Sequence, residues 1–133
     1  MSGTLKQGLS ATRRVDIDRD RTISFMGDDC RVYSTPNLLY DIEMACRELL
    51  LQHIEAGKDS VGTRIELDHV GATLLGMWVE ITVTLDQVDG AAVSFSFTAR
   101  DAVEEVARGK HNRFVVGIEK TAQRLQAKRA KAG

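Results

Sequence analysis

The sequence predicts an α+β domain: one long helix enclosed by a meander of antiparallel strands. Three observations carry this. Residues 36–51 hold apolar side chains on nearly every side of a helix, the pattern of a helix wrapped by other structure. From Ile65 onward the hydrophobic period changes from 3.6 to 2. Asp89-Gly90 then supplies a strong hairpin signal between two alternating runs. One helix followed by a run of strands is an α+β layout.

Taken in order, residues 1–8 read as a loose start. Residues 9–23 hold a strand-like alternation at Thr12, Val15 and Ile17, broken by the charged run Asp16-Ile17-Asp18-Arg19-Asp20-Arg21. Residues 25–33 are a mixed loop. Thr35-Pro36 opens the helix, with Thr35 as N-cap and Pro36 at the first helical position. The helix is expected over residues 36–56, with Gly57 as its stop. Ile65, Leu67 and His69 then alternate with charged residues. A longer strand is expected over residues 78–88, with Val79, Ile81, Val83 and Leu85 on one face, and is read as a sheet edge that needs cover. Val93, Phe95 and Phe97 continue the alternation, and a last strand covers 104–110 and resumes at 113–118. Residues 121–133 are basic and Ala-rich and read as a loose tail.

The 133 residues make one domain, 1–133, large enough to bury roughly two-thirds of the unfolded chain's surface without a metal or disulfide staple. A net charge of -1, mixed along the chain, argues against nucleic acid or an anionic membrane as the main partner. No apolar run approaches the ~20 residues of a membrane span, and the N-terminus lacks a signal peptide's apolar core. Cys30 and Cys46 show no pairing signature and read as reduced thiols of a cytoplasmic protein. There is no P-loop, dinucleotide fingerprint or paired-cysteine metal site, so neither cofactor nor metal is expected. Gly8-Leu9-Ser10-Ala11-Thr12 lacks the second Gly of a nucleophile elbow. Asp16, Asp18 and Asp20 imitate the start of a calcium loop, but Arg21 stands where Gly is needed and Gly27 where the bidentate Glu is needed.

Chemistry concentrates on a few titratable groups set into stretches built for a core. Glu43 shares a helix face with Leu39, Cys46 and Leu50. His69 shares a strand face with Ile65 and Leu67. If both faces are buried against each other, an acid and an imidazole meet, and a buried carboxylate needs a reason. Each also has a plain reading: Glu43 as a core acid paired with an arginine, His69 as a core histidine on a backbone carbonyl. Thr35 is explained by capping alone, or as a hydroxyl at a helix N-terminus whose free N–H groups suit a polarised carbonyl. Arg113, at the start of an apolar strand, is a solvated strand end or an anion contact. His53 reads as a partner of the helix dipole.

These positions together resemble the fluoroacetyl-CoA thioesterase family of hot-dog proteins. The resemblance rests on Thr35, Glu43 eight residues later, Gly62-Thr63, His69 seven residues after Gly62, and Arg113 in Gly-Lys-His-Asn-Arg, over about residues 30–120. Ile42-Glu43-Met44-Ala45-Cys46-Arg47 is similar to the family's glutamate-bearing helix, and His69-Val70-Gly71-Ala72-Thr73 to its histidine strand. The resemblance implies a hot-dog fold, a homodimer with active sites at the subunit interface, and an acyl-CoA or related acyl thioester as substrate. It implies Thr35, Glu43 and His69 as the catalytic set, with Gly62 and Arg113 at the substrate. One departure stands out. The fluoroacetyl-specific member carries an aromatic gate in an apolar lid just before its catalytic threonine. Here that stretch is Met26-Gly27-Asp28-Asp29-Cys30-Arg31-Val32, with Asp29 about where the gate belongs and Phe25 or Tyr33 as substitutes.

The leading expectation is therefore a thioesterase acting on a small acyl-CoA, with attack by Thr35 or by a water that it positions. The alternatives are a hot-dog module that binds an acyl thioester without turning it over, for which an arginine pinning Glu43 would speak, and a purely structural Glu43–His69 pair.

Overall fold

The computed structural model describes residues 4–133; of the expected loose start, residues 1–3 lie outside the described residues. The elements are β1 (Ser10–Asp16), α1 (Thr35–Leu51), β2 (Lys58–His69), β3 (Trp78–Asp89), β4 (Ala92–Arg100), β5 (Glu105–Gly117) and α2 (Ile118–Ala132). The five strands form one antiparallel sheet in the order β1-β3-β4-β5-β2. Helix α1 touches β1 and β2, the two edges of that sheet, as well as β3. A sheet whose opposite edges both reach one helix must curl around it.

The core follows the alternation. Val79, Ile81, Val83 and Leu85 of β3 are buried, as are Val93, Phe95 and Phe97 of β4. They meet Leu38, Ile42, Ala45, Cys46, Leu49 and Leu50 of α1. Full burial of each large aliphatic side chain contributes about 1.5–3 kcal/mol, so this layer dominates stability. The hairpin between β3 and β4 closes on Asp89 and Ala92, so the two turn residues are Gly90 and Ala91, one place beyond the Asp89-Gly90 pair that the sequence suggests. Gly90 adopts φ +61° at the first of them, the position where a two-residue hairpin turn wants glycine.

Several expectations are corrected. Helix α1 ends at Leu51 rather than near residue 56; Gly57 instead turns the chain into β2 at φ +86°. The N-cap is Ser34, whose Oγ accepts from the Asn37 amide at 3.2 Å and from Asn37 Nδ2 at 2.6 Å. Thr35 is the first helical residue, one place further in. Strand β3 is not an edge: it lies between β1 and β4, and the open edges are β1 and β2. Strand β5 is continuous because its central residues pair with both β2 and β4. Residues 121–133, expected as a loose tail, lie almost wholly in α2, none of whose residues is buried.

The cap assignment is directly testable. Ser34→Ala should cost about 1 kcal/mol of stability through the lost cap, and exposed Thr35→Ala less than half of that. Urea melts of the two variants measure the difference, and the reverse order would restore Thr35 as the cap.

Candidate active site

Within the protomer the sequence-predicted residues fall into two clusters. The first sits where the start of α1 meets the end of β2. Thr35 Oγ1 lies 2.8 Å from His69 Nδ1, a hydroxyl–imidazole pair at hydrogen-bond distance. His69 is on the face of Ile65 and Leu67, as the alternation requires, and all three are half-buried. Its Nε2 is buried without a partner among the described residues. The Tyr33 ring packs edge-on against the imidazole, centroids 6.5 Å apart at 78°. Tyr33 in turn donates through its hydroxyl to Asp41 Oδ2 at 2.6 Å, and Arg21 holds both oxygens of Asp41 at 2.9 and 3.3 Å. Burial, with the Asp41 carboxylate second, drives the Tyr33 hydroxyl far above its usual proton affinity, so it acts only as a neutral donor.

The first turn of α1 offers fewer free amides than the sequence suggested. Asn37 N–H is taken by Ser34 Oγ and Leu38 N–H by the Ser34 carbonyl, while Pro36 has none. Among the described residues, the Thr35 N–H has no acceptor. One free donor therefore remains at the helix start, next to the Thr35 hydroxyl.

The second cluster lies midway along α1, β2 and β5. Glu43 is not a lone acid in an apolar wall: its Oε2 accepts from Arg113 Nη1 at 3.2 Å, and its side chain is 28% exposed. Arg47, the other arginine within reach in sequence, pairs with Asp59 instead, at 2.9 and 2.7 Å. Arg113 is no solvated strand end. Its side chain is 2% exposed, donating from Nε to Ser60 Oγ and from Nη2 to the Ser60 carbonyl, both at 2.8 Å. His111 Nε2 lies 3.1 Å from Nη1. Gly62 is required here for space, because a Cβ would run into Glu43 Oε2 and come within 3.1 Å of His111 Cε1. Cys46 belongs to this neighbourhood too; burial pushes its thiol up to about 12, so it stays protonated and inert. His53 lies apart, its Nδ1 2.7 Å from Thr4 Oγ1.

Ser60, His111 and Asp41 were missed from the sequence. His111 carried a signal, since it sits two residues before Arg113 in a strand and so on the same face. Asp41 carried none, because its partners Arg21 and Tyr33 come from a loop whose path the sequence does not fix. The stretch in the gate's place is also clearer. Tyr33 is core and is no gate, Phe25 is 81% exposed, and Asp28 anchors Arg19 at 3.1 Å and Arg31 at 3.3 Å. The two arginines hold the Asp28 carboxyl below the usual range. A cleft of about 600 Å³ between β1 and α1 contains none of the predicted residues. Its arginines are already paired, Arg13 with Glu48, Arg14 with Glu80, Arg21 with Asp41 and Arg47 with Asp59.

Solved structures share this fold and place the chain among the hot-dog thioester hydrolases. It matches a fluoroacetyl-CoA thioesterase structure at 26% identity and TM-score 0.86, over 95% of this chain and 98% of that one. A hot-dog-like protein from Thermanaerovibrio acidaminovorans matches at 27% identity and TM-score 0.84, over 92% and 91%. The fluoroacetyl-CoA thioesterase of Streptantibioticus cattleyicolor is 33% identical over 97 residues, 73% of this chain and 70% of that protein. The family described as fluoroacetyl-CoA-specific thioesterase matches residues 17–119, and the chain belongs to it.

Burial holds both His69 and His111 below their ordinary 6.5, and the Arg113 charge adds to this for His111. Around His111 the ionisable groups are Arg113 and Glu43; around His69 the neighbours are Thr35 and Tyr33. The unfolded chain therefore binds more protons than the native one between the lowered values and 6.5, so stability rises with pH in that window. The contribution is whole above 6.5 and is lost as pH falls below it. Melting temperature should fall between about pH 7 and 5, and fall less in His111→Gln, which has one fewer such group. Identical pH dependence in the two proteins would show that His111 does not contribute.

Proposed function

We propose that this enzyme hydrolyses small acyl-CoA thioesters using Thr35, His69 and Glu43, in an active site completed by a second copy of the chain. The Thr35–His69 hydrogen bond carries the reading, since a hydroxyl held on an imidazole beside a free backbone N–H is the geometry of an activated nucleophile. Thr35 Oγ1 attacks the thioester carbonyl while His69 takes its proton and returns it to the departing thiolate. The Thr35 N–H faces the charge that develops on the carbonyl oxygen. Glu43 accepts a proton from the water that attacks the acyl-enzyme and passes it to Thr35 Oγ1 as the free acid leaves. A variant of the fluoroacetyl-CoA-specific thioesterase, 27% identical to this chain, has been solved with fluoroacetate and CoA, which supports a CoA thioester as the substrate class. Free Cys30 and Cys46 thiols suit the cytoplasm.

A hydrolysis screen over acyl-CoAs of graded length and polarity, following free thiol, tests this. His69→Ala and Glu43→Gln should each lose about a hundredfold or more in turnover, as acid–base groups do. Thr35→Ser should retain more activity than Thr35→Ala. Because a charged segment replaces the apolar gate, fluoroacetyl-CoA should show no strong advantage over acetyl-CoA. Wild-type rates in both His69→Ala and Glu43→Gln would instead favour the binding-module reading, which the Arg113–Glu43 pair also suits.

The second copy is invoked because the two clusters stand apart. His69 and Gly62, over which Glu43 lies, are separated by about 20 Å of strand at ~3.3 Å per residue. Strand β2 is an open edge of 12 residues, with exposed Val61 on it and Phe114 beside it on β5. Unpaired edges of this length are covered in native proteins. Two β2 strands pairing antiparallel about Ile65 and Glu66, a little past the middle of the strand, would set His69 of one subunit opposite Gly62 of the partner subunit. Sedimentation should give twice the 14.7 kDa chain mass. Co-refolding inactive His69→Ala with inactive Glu43→Gln should restore roughly a quarter of wild-type activity, since half the dimers are mixed and each regains one intact site. A monomer, or no recovery on mixing, would sink the shared site.

A further inference from the structure

We propose that His111 is a positioning residue for this hydrolysis: its Nε2 lone pair fixes the Arg113 guanidinium, which holds the Glu43 carboxylate above Gly62. The inference rests on the reading of Glu43 as a group that acts on the bound thioester.

The hydrogen-bond chemistry leaves one assignment for the ring. A guanidinium has five N–H donors and no acceptor, so the 3.1 Å contact between Arg113 Nη1 and His111 Nε2 requires an unprotonated Nε2. On the other side, Nδ1 lies 2.8 Å from the Arg64 carbonyl oxygen, which only accepts, so Nδ1 carries the hydrogen. His111 is thus neutral, a rigid spacer between a backbone carbonyl of β2 and a buried charge, and it is 3% exposed. It sits behind Arg113 and touches no substrate.

The support it gives is specific to one end of the guanidinium. Nε and Nη2 are both anchored on Ser60. Nη1 has only Glu43 Oε2, at 3.2 Å, and His111 Nε2. A charge-assisted bond is usually shorter than 3 Å or so, so Glu43 alone is a loose restraint. Without the imidazole acceptor, Nη1 and the half-buried Glu43 are free to shift together, and Gly62 offers no side chain to stop them.

Two isosteric variants separate the ring's two roles. In His111→Asn the amide nitrogen replaces Nδ1 and keeps the Arg64 bond, leaving Nη1 without its acceptor. In His111→Gln the amide oxygen replaces Nε2 and keeps the Arg113 contact. With the acyl-CoA hydrolysed fastest, the Asn variant should lose about tenfold or more in kcat with KM within about twofold, while the Gln variant stays within about threefold of wild type. In a Glu43→Gln background the Asn substitution should cause no further loss, because both act through one group. Equal activity of the Asn and Gln variants, or a full additional loss in the double variant, would overturn the proposal. A long-range proton–nitrogen spectrum of the wild type gives an independent reading: the Nδ1–H tautomer is expected at His111, and an Nε2–H tautomer overturns the proposal however the variants behave. Glu43→Gln turning over at the wild-type rate would sink the catalytic reading of Glu43. A slow Glu43→Gln with a fast His111→Asn sinks only the role of His111.

Discussion

The buried Arg113 guanidinium is the constraint around which the middle of this fold is arranged. Taking such a charge out of water costs several kcal/mol unless its hydrogen-bonding capacity is met. Three elements meet it: β2 with both oxygens of Ser60, α1 with Glu43, and β5 itself with His111. Gly62 is glycine because those groups converge where its side chain would be. The orientation of α1 over β2 is therefore set by a polar cluster as well as by the apolar layer of Leu38, Ile42 and Leu49 on the sheet. This also explains why Gln is the informative replacement for Glu43. It removes the charge yet leaves an oxygen for Nη1, whereas Ala would strand a buried cation and confound chemistry with stability.

Much of the fold was legible because burial imposes periodicity. The alternation at Val79, Ile81, Val83 and Leu85 and the all-round apolar helix were read directly, and His69 fell on its expected face. What failed was local chemistry with two adequate solutions. Ser34 and Thr35 are both good caps, and only the backbone decides between them. Strand order was invisible too: β3 reads as an edge until residues 10–16 are known to pair with it. The basic segment at the C-terminus has little to bury, yet it forms α2, since Ala, Gln, Lys and Arg are strong helix formers without a packing partner.

The site was legible residue by residue but not as an arrangement. Thr35, Glu43, Gly62, His69 and Arg113 were all singled out, and the positions of Thr35 and His69 relative to each other follow from the helix start meeting the strand end. Glu43 reads from the sequence as meeting His69 or an arginine, and the choice of Arg113 is not fixed there because the strand that brings it across arrives 70 residues later. The gate region shows the same limit. Asp28 and Asp29 read as acids in place of an apolar lid, but the structure shows Asp28 committed to Arg19 and Arg31. A loop crossed by ion pairs is a different object from a hydrophobic cover.

The Arg113–Glu43 pair admits a structural reading, and the geometry bears on the choice. A pair that served only the core would be sealed on both sides, as Thr73 is on Asp101, with both residues almost wholly buried. Here the cation is sealed and the carboxylate is not. Arg113 is 2% exposed and Glu43 28%, and the hydrogen bonds of Glu43 all run through Oε2. Among the described residues its other oxygen has no hydrogen-bond partner. Burying the arginine while presenting the carboxylate fixes the acid in place without covering it. The same asymmetry recurs at the first cluster, where His69 is engaged through Nδ1 and its Nε2 has no partner within the protomer. An unmatched buried nitrogen is costly to keep. In the proposed dimer, a second β2 edge would cover this exposed strand and bring a partner to that nitrogen.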